Sequence, residues 1–117
     1  MAASAERSAP VDFISVTTTT DNEASAQSIA RALLEARLAA CVQISSPIES
    51  GYCWEGKIET SREWRLTIKT SAKLFPQVEA AIRQAHPYST PQILAIPIIA
   101  GNQDYLGWLR ESLRAPT

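Results

Sequence analysis

The extended stretch at residues 48–70 constrains this chain more than any other feature. It reads as two strands around Glu55-Gly56-Lys57, a turn with glycine at its centre, so an unusually long antiparallel hairpin is expected. On the returning arm Trp64, Leu66 and Ile68 share one face, while Glu63, Arg65, Thr67 and Lys69 share the other, because strand side chains alternate. The first face belongs to the core. Tyr52 and Trp54, two positions apart on the outgoing arm, point the same way, and large rings on a projecting hairpin call for a second surface to cover them. Packing between copies is the expected role, ahead of ligand stacking.

The remaining elements surround that hairpin. Residues 11–18 (VDFISVTT) are rich in β-branched side chains and lead into Thr20-Asp21-Asn22-Glu23, which has the form of a capping box. A helix follows, with Ala26, Ile29, Ala30, Leu33 and Leu34 expected on its apolar stripe. Residues 39–45 alternate as a second strand, with Ala40, Val42 and Ile44 on one side and Cys41 and Gln43 on the other. Leu74, Val78, Ala81, Ile82 and Ala85 form a second helical stripe, with Pro76 near its first turn and Pro87 stopping it after His86. Residues 92–99 read as the last strand, which Pro97 confines to a sheet edge or bulge. Asn102 then caps a last helix carrying Tyr105, Leu106, Trp108, Leu109 and Leu113.

Two strand-helix-strand halves with right-handed crossovers give an interleaved antiparallel sheet in the order fourth, first, third, second. This is the α+β, ferredoxin-like split βαβ sandwich, with helices expected on one face.

Composition then excludes several function classes. At 117 residues the chain builds one core, expected over residues 11–117. Residues 1–10 mix Ala and Ser with Glu6 and Arg7 without an apolar centre, and are expected to be a disordered tail rather than a targeting segment. Eleven Lys and Arg against twelve Asp and Glu leave a net charge of -1, so no positive field invites nucleic acid. The apolar run at 93–100, broken by Pro97, falls far short of the roughly 20 residues of a membrane span; a soluble chain without a membrane partner is expected. Cys41 and Cys53 form no C-x-x-C pattern and are too few for a disulfide scaffold, which fits a reducing cytoplasm.

The single histidine, His86, removes most hydrolytic and metal-enzyme mechanisms. No G-x-S-x-G elbow is present, and a zinc site would lack any close-spaced ligand pair. The glycines at positions 51, 56, 101 and 107 form no phosphate-binding motif. Nothing pairs a nucleophile with a positioned base, so the chain is not expected to be an enzyme. A polar and aromatic set remains: Cys41, Tyr52, Trp54, Glu63, Lys69, His86, Tyr88, Tyr105 and Trp108. Its ordinary roles are an ion pair between Glu63 and Lys69, and a His86 that caps the last carbonyls of the second helix.

These residues stand in segments that resemble the CutA divalent-cation tolerance proteins. The matching segments are Ala39-Ala40-Cys41-Val42, the run at residues 50–58 (SGYCWEGKI) with Glu63, Ile68-Lys69-Thr70, His86-Pro87-Tyr88 with Pro91, and Tyr105-Leu106 with Trp108. The resemblance covers about residues 11–113. It implies a ferredoxin-like homotrimer whose long hairpins embrace neighbouring subunits, similar in architecture to the PII signalling proteins. It also implies a role in copper and divalent-cation tolerance, with Cys41, Trp54, Glu63, Lys69, His86, Tyr88, Tyr105 and Trp108 lining clefts between subunits. The sequence departs from the family pattern at Ser89-Thr90-Pro91-Gln92, where many relatives carry two glutamates, and this weakens any site for a hard cation. Cys53 is a thiol the pattern does not require.

Three functions follow as expectations. The first is a cytoplasmic trimer that binds Cu(II) or another divalent cation through His86 and Cys41, imidazole and thiolate being borderline and soft donors. The second is a PII-like sensor whose inter-subunit cleft, with Trp54, Glu63, Lys69, Tyr88, Tyr105 and Trp108, takes a small anionic metabolite at Lys69. The third is a purely structural trimer.

Overall fold

A computed structural model describes residues 11–116; the tail expected at residues 1–10 lies outside them. The elements are β1 (Phe13–Thr20), α1 (Glu23–Glu35), β2 (Cys41–Ile44), β3 (Ile48–Trp54), β4 (Lys57–Ser71), a 3-10 turn (Ala72–Leu74), α2 (Phe75–Ala85), β5 (Leu94–Ile98) and α3 (Gln103–Ser112). The sheet order is β2-β4-β1-β5, with β3 paired to β4, which is the interleaved order read from the sequence. All pairings are antiparallel.

The fifteen residues of β4 do two jobs. Its inner half, from Trp64 to Ser71, lies against β1, and within that span residues 66–69 also pair with β2. Its outer half, from Lys57 to Glu63, pairs with β3 and carries the hairpin away from the core. Trp54 pairs with Lys57, so the turn is Glu55-Gly56, with φ of 51° and 78°. That left-handed pair matches the twist of the flanking strands. The radius of gyration is 16.0 Å, against about 13 Å for a compact chain of this length, and the projecting hairpin accounts for the excess.

The core lies on one face of the sheet, where Ile14, Val16, Leu66 and Ile68 meet Ile29 and Leu33 of α1 and Val78 and Ile82 of α2. α1 begins two residues later than the capping-box reading placed it. Asn22 is the N-cap, its side chain accepting from the Ser25 amide, while Thr20 stays in the strand and its hydroxyl donates to the Asn22 carbonyl. Leu34 is 42% exposed, off the stripe assigned to it. Arg37, with φ of 57°, ends this helix segment, and its guanidinium donates to the carbonyls of Glu111 and Ser112 at the end of α3. Charge-assisted donors there satisfy carbonyls that the helix itself leaves open.

The helices are not all on one face. Phe13 and Cys41 alternate with core residues and so face the other way, and α3 comes round to them. Arg110 lies over the Phe13 ring at 5.0 Å, and Leu109 is fully buried. β5 pairs with β1 alone and forms the edge that Pro97 requires. Among the described residues, Thr18 carries the one enclosed side-chain polar atom without a hydrogen-bond partner. It sits between Val16 and Thr20 on the core face, where an unmade bond costs about 1 to 3 kcal/mol.

Candidate functional site

The open face of the sheet carries Phe13, Ser15, Thr17 and Thr19 from β1, Cys41 and Gln43 from β2, and Glu63, Arg65, Thr67 and Lys69 from β4. The eight candidate residues divide between its two ends. Glu63 and Lys69 are six residues apart on one strand, roughly 20 Å, and the ion pair expected between them does not form.

The first end centres on Glu63, which is only 7% exposed. The Tyr88 hydroxyl donates to its Oε2 at 2.7 Å. The Tyr88 amide donates to His86 Nδ1 at 3.1 Å, and His86 Nε2 lies 2.8 Å from the Thr19 carbonyl. An amide N–H only donates, so Nδ1 holds a lone pair and the proton of the neutral ring sits on Nε2, donating to Thr19. His86 therefore ties the loop after α2 to β1 rather than capping its own helix, because α2 ends with His86 in an extended conformation, ψ 137°. Burial, followed by the Glu63 hydrogen bond and charge, pushes the Tyr88 phenol well above its ordinary range, which keeps it a donor. Trp54 and Tyr52 of β3 stand over this end and close a cleft of about 720 Å³, lined also by Thr19, Ser50 and Gln92.

The His86 geometry has a consequence for stability. Burial lowers its pKa below the ordinary 6.5, against raising contributions from the Thr19 carbonyl, Asp21 and Glu63. A depressed folded pKa means the unfolded chain takes up the proton first. The stabilisation is thus complete above pH 6.5 and is lost as pH falls toward the folded value. Denaturant midpoints measured between about pH 7 and about pH 5 should fall with acid in the wild type. His86→Ala should start lower and lose most of that slope.

The second end centres on Lys69 and Cys41, which are register partners on β4 and β2. Lys69 Nζ donates to Gln43 Oε1 at 3.3 Å and, among the described residues, pairs with no carboxylate. Tyr105 of α3 reaches the Cys41 thiol; burial first, and that thiol second, raise its pKa. The Tyr105 and Trp108 rings are 5.5 Å apart, and both remain partly open to solvent, at 38% and 47%. α3 holds them there because its first turn is ordered by Asp104, which accepts from Asn102 Nδ2 and from the Tyr105 amide. Asn102 occupies the cap position without bonding a helix amide itself.

Among the described residues of one chain these side chains do not gather into a cluster of metal donors: no three His, Cys, Asp or Glu side chains lie around a common point. His86 and Cys41 sit at opposite ends of the face, and both His86 nitrogens are already engaged. A second cleft of about 760 Å³, between β5 and α3, contains none of the candidate residues.

Sequence reasoning missed Thr19, Gln43 and Asp21 as parts of these ends. Thr19 acts through its backbone carbonyl and Gln43 through a neutral amide, and neither leaves a signature in residue type.

The model of the CutA1 divalent ion tolerance protein family matches residues 14–112, a span that includes every candidate residue. The chain belongs to the CutA1 family. A divalent-cation tolerance protein CutA from Thermus thermophilus is 44% identical over 94 residues, covering 80% of this chain and 91% of that one. The crystal structure of CutA1 from a psychrotrophic Shewanella superposes with a TM-score of 0.88 at 36% identity, covering 92% of this chain and all of that one. The structure described as the periplasmic CutA of Archaeoglobus fulgidus gives 0.84 at 39% identity over 87% of this chain and 99% of that one. Among the described residues of this CutA1 family member, no helix is long and apolar enough to cross a membrane.

Proposed function

We propose that this CutA1 family member serves divalent-cation tolerance as a homotrimer without catalysis, in a reducing compartment such as the cytoplasm, and that recognition takes place between copies. The observation that carries this reading is the division of the candidate residues into two ends of one open face, each with a charge that has no counter-charge among the described residues of its own chain. Glu63 stands at one end and Lys69 at the other. A head-to-tail ring brings the Glu63 end of one copy to the Lys69 end of the next, and Leu94 and Ile96, each 59% exposed on that face, supply apolar surface to cover. A Cu(II) ion would then draw donors from more than one copy, the Cys41 thiol, which Tyr105 reaches, being a softer donor than His86, whose two nitrogens are held by hydrogen bonds.

Sedimentation velocity at micromolar concentration tests the assembly, with a trimer expected and a monomer rejecting it. Cu(II) titration of the assembled protein should lose affinity in Cys41→Ala and keep it in His86→Ala. A second reading, a PII-like sensor taking a small anion at Lys69, is favoured by the neutral Gln43 partner of that ammonium. Lys69→Met should then abolish anion binding and leave the assembly intact.

A further inference from the structure

We infer, building on the head-to-tail ring proposed above, that the cleft between β5 and α3 seats the tip of a neighbouring copy's β3-β4 hairpin. The tip lies six strand residues beyond Glu63, roughly 20 Å, and carries Trp54 and Ile58 at 56% and 84% exposure. Where the Glu63 end of one copy meets the Lys69 end of the next, that length of hairpin extends over the next copy. Lys69, Ser15 and Ile96 are level with one another across β4, β1 and β5. Ile98, two strands and two residues away, is therefore roughly 12 Å from Lys69. The β5-α3 cleft, which Ile98 lines, falls within reach of the tip.

The chemistry of the cleft matches that occupant. Its space of about 760 Å³ is walled by the apolar side chains of Phe13, Pro97, Ile98, Ile99 and Leu106, and Ile99 is 90% exposed. Leu94 and Ile96 share the open face with Ile98 and run into the cleft, so it continues the apolar surface that the ring covers. At its rim Asp12 and Arg110, both largely exposed, form a loose pair at 3.5 Å. The tip offers Glu55 and Lys57, both exposed and, among the described residues, in no ion pair. Arg110 can meet Glu55 while Asp12 meets Lys57, a complementarity that fixes the direction of entry.

Gly107 points to the same occupant independently. It sits in the middle of α3, where glycine weakens a helix, and it lines the cleft. A Cβ at that position would meet nothing within 4 Å outside the adjoining backbone, so no contact within the chain calls for glycine there. A helix face without a side chain lets a second backbone come close, and the Glu55-Gly56 turn of the tip is a narrow piece of backbone suited to that approach.

Sedimentation velocity of the full chain tests the proposal by comparing the wild type with Gly107→Leu, which fills the cleft with a residue that favours helix. A trimer is expected for the wild type, with assembly weakened about tenfold or more in the variant while its far-ultraviolet circular dichroism is kept. A second variant gives an answer even if Gly107→Leu does not fold. With Cys53→Ser as background, a chain carrying both Lys57→Cys and Gly107→Cys should link copies through disulfides in oxidised glutathione, and neither substitution alone should do so. Undiminished assembly of Gly107→Leu, or no linked copies in the double variant, would overturn this seat and leave the ring standing. A monomeric wild type would overturn the ring and the seat together.

Discussion

Leu33→Ala is expected to destabilise the fold by about 4 kcal/mol, a large effect for a single change. Leu33 is fully buried in α1, within the cluster that includes Ile29, Leu66, Val78 and Ile82. Truncation removes apolar area and leaves a cavity between two helices and a sheet that cannot collapse together, so transfer and cavity costs add. Its carbonyl also accepts from the amides of Leu38 and Ala39, and loosening there would disturb the bend that leads into β2. Leu34→Ala is the control. That side chain is 42% exposed, and its loss should stay below about 1 kcal/mol. Urea denaturation of the two variants compares them directly; similar midpoints would contradict this account of the core.

The pair Leu33 and Leu34 also marks how far the sequence could be read. Periodicity places both near the apolar stripe, and only the helix's rotation against the sheet separates them. The interleaved sheet was legible because alternation in β2 and β4 and the spacing of Val78 and Ile82 leave few ways to bury one face. Pro97 named the edge strand. Caps were less legible, since Thr20 and Asn22 are both good N-cap residues and the strand's pairing of Thr20 with Trp64 decides between them. The sequence names the candidate residues but not their arrangement. Glu63 and Lys69 share a face, yet six residues of extended strand keep them apart. His86 finds a backbone carbonyl on β1 that no residue type announces. α3 crosses to the open face because Leu109 and Phe13 need cover there, a tertiary demand that helix periodicity alone does not reveal.

Replacing residues 52–59 with Asn-Gly, which shortens the hairpin to a two-residue turn between the paired Gly51 and Thr60, is expected to leave a folded single chain and abolish assembly. None of the removed residues is in the buried core, and β3 pairs only with β4, so the inner half of β4 keeps its ladders to β1 and β2. Ser45 fixes the start of the hairpin independently of its tip, its amide donating to the Arg65 carbonyl and its hydroxyl accepting from the Arg65 amide. What the deletion removes is Tyr52 at 41%, Trp54 at 56% and Ile58 at 84% exposure, side chains that do little for an isolated chain. If a neighbour covers them, Tyr52 and Trp54 have the character of interface anchors worth about 2 kcal/mol or more each, about thirtyfold in affinity apiece. Sedimentation velocity with far-ultraviolet circular dichroism separates the outcomes. A folded monomer is the expected result, whereas a folded trimer would mean that the open face of the sheet, and not the hairpin, holds the copies together.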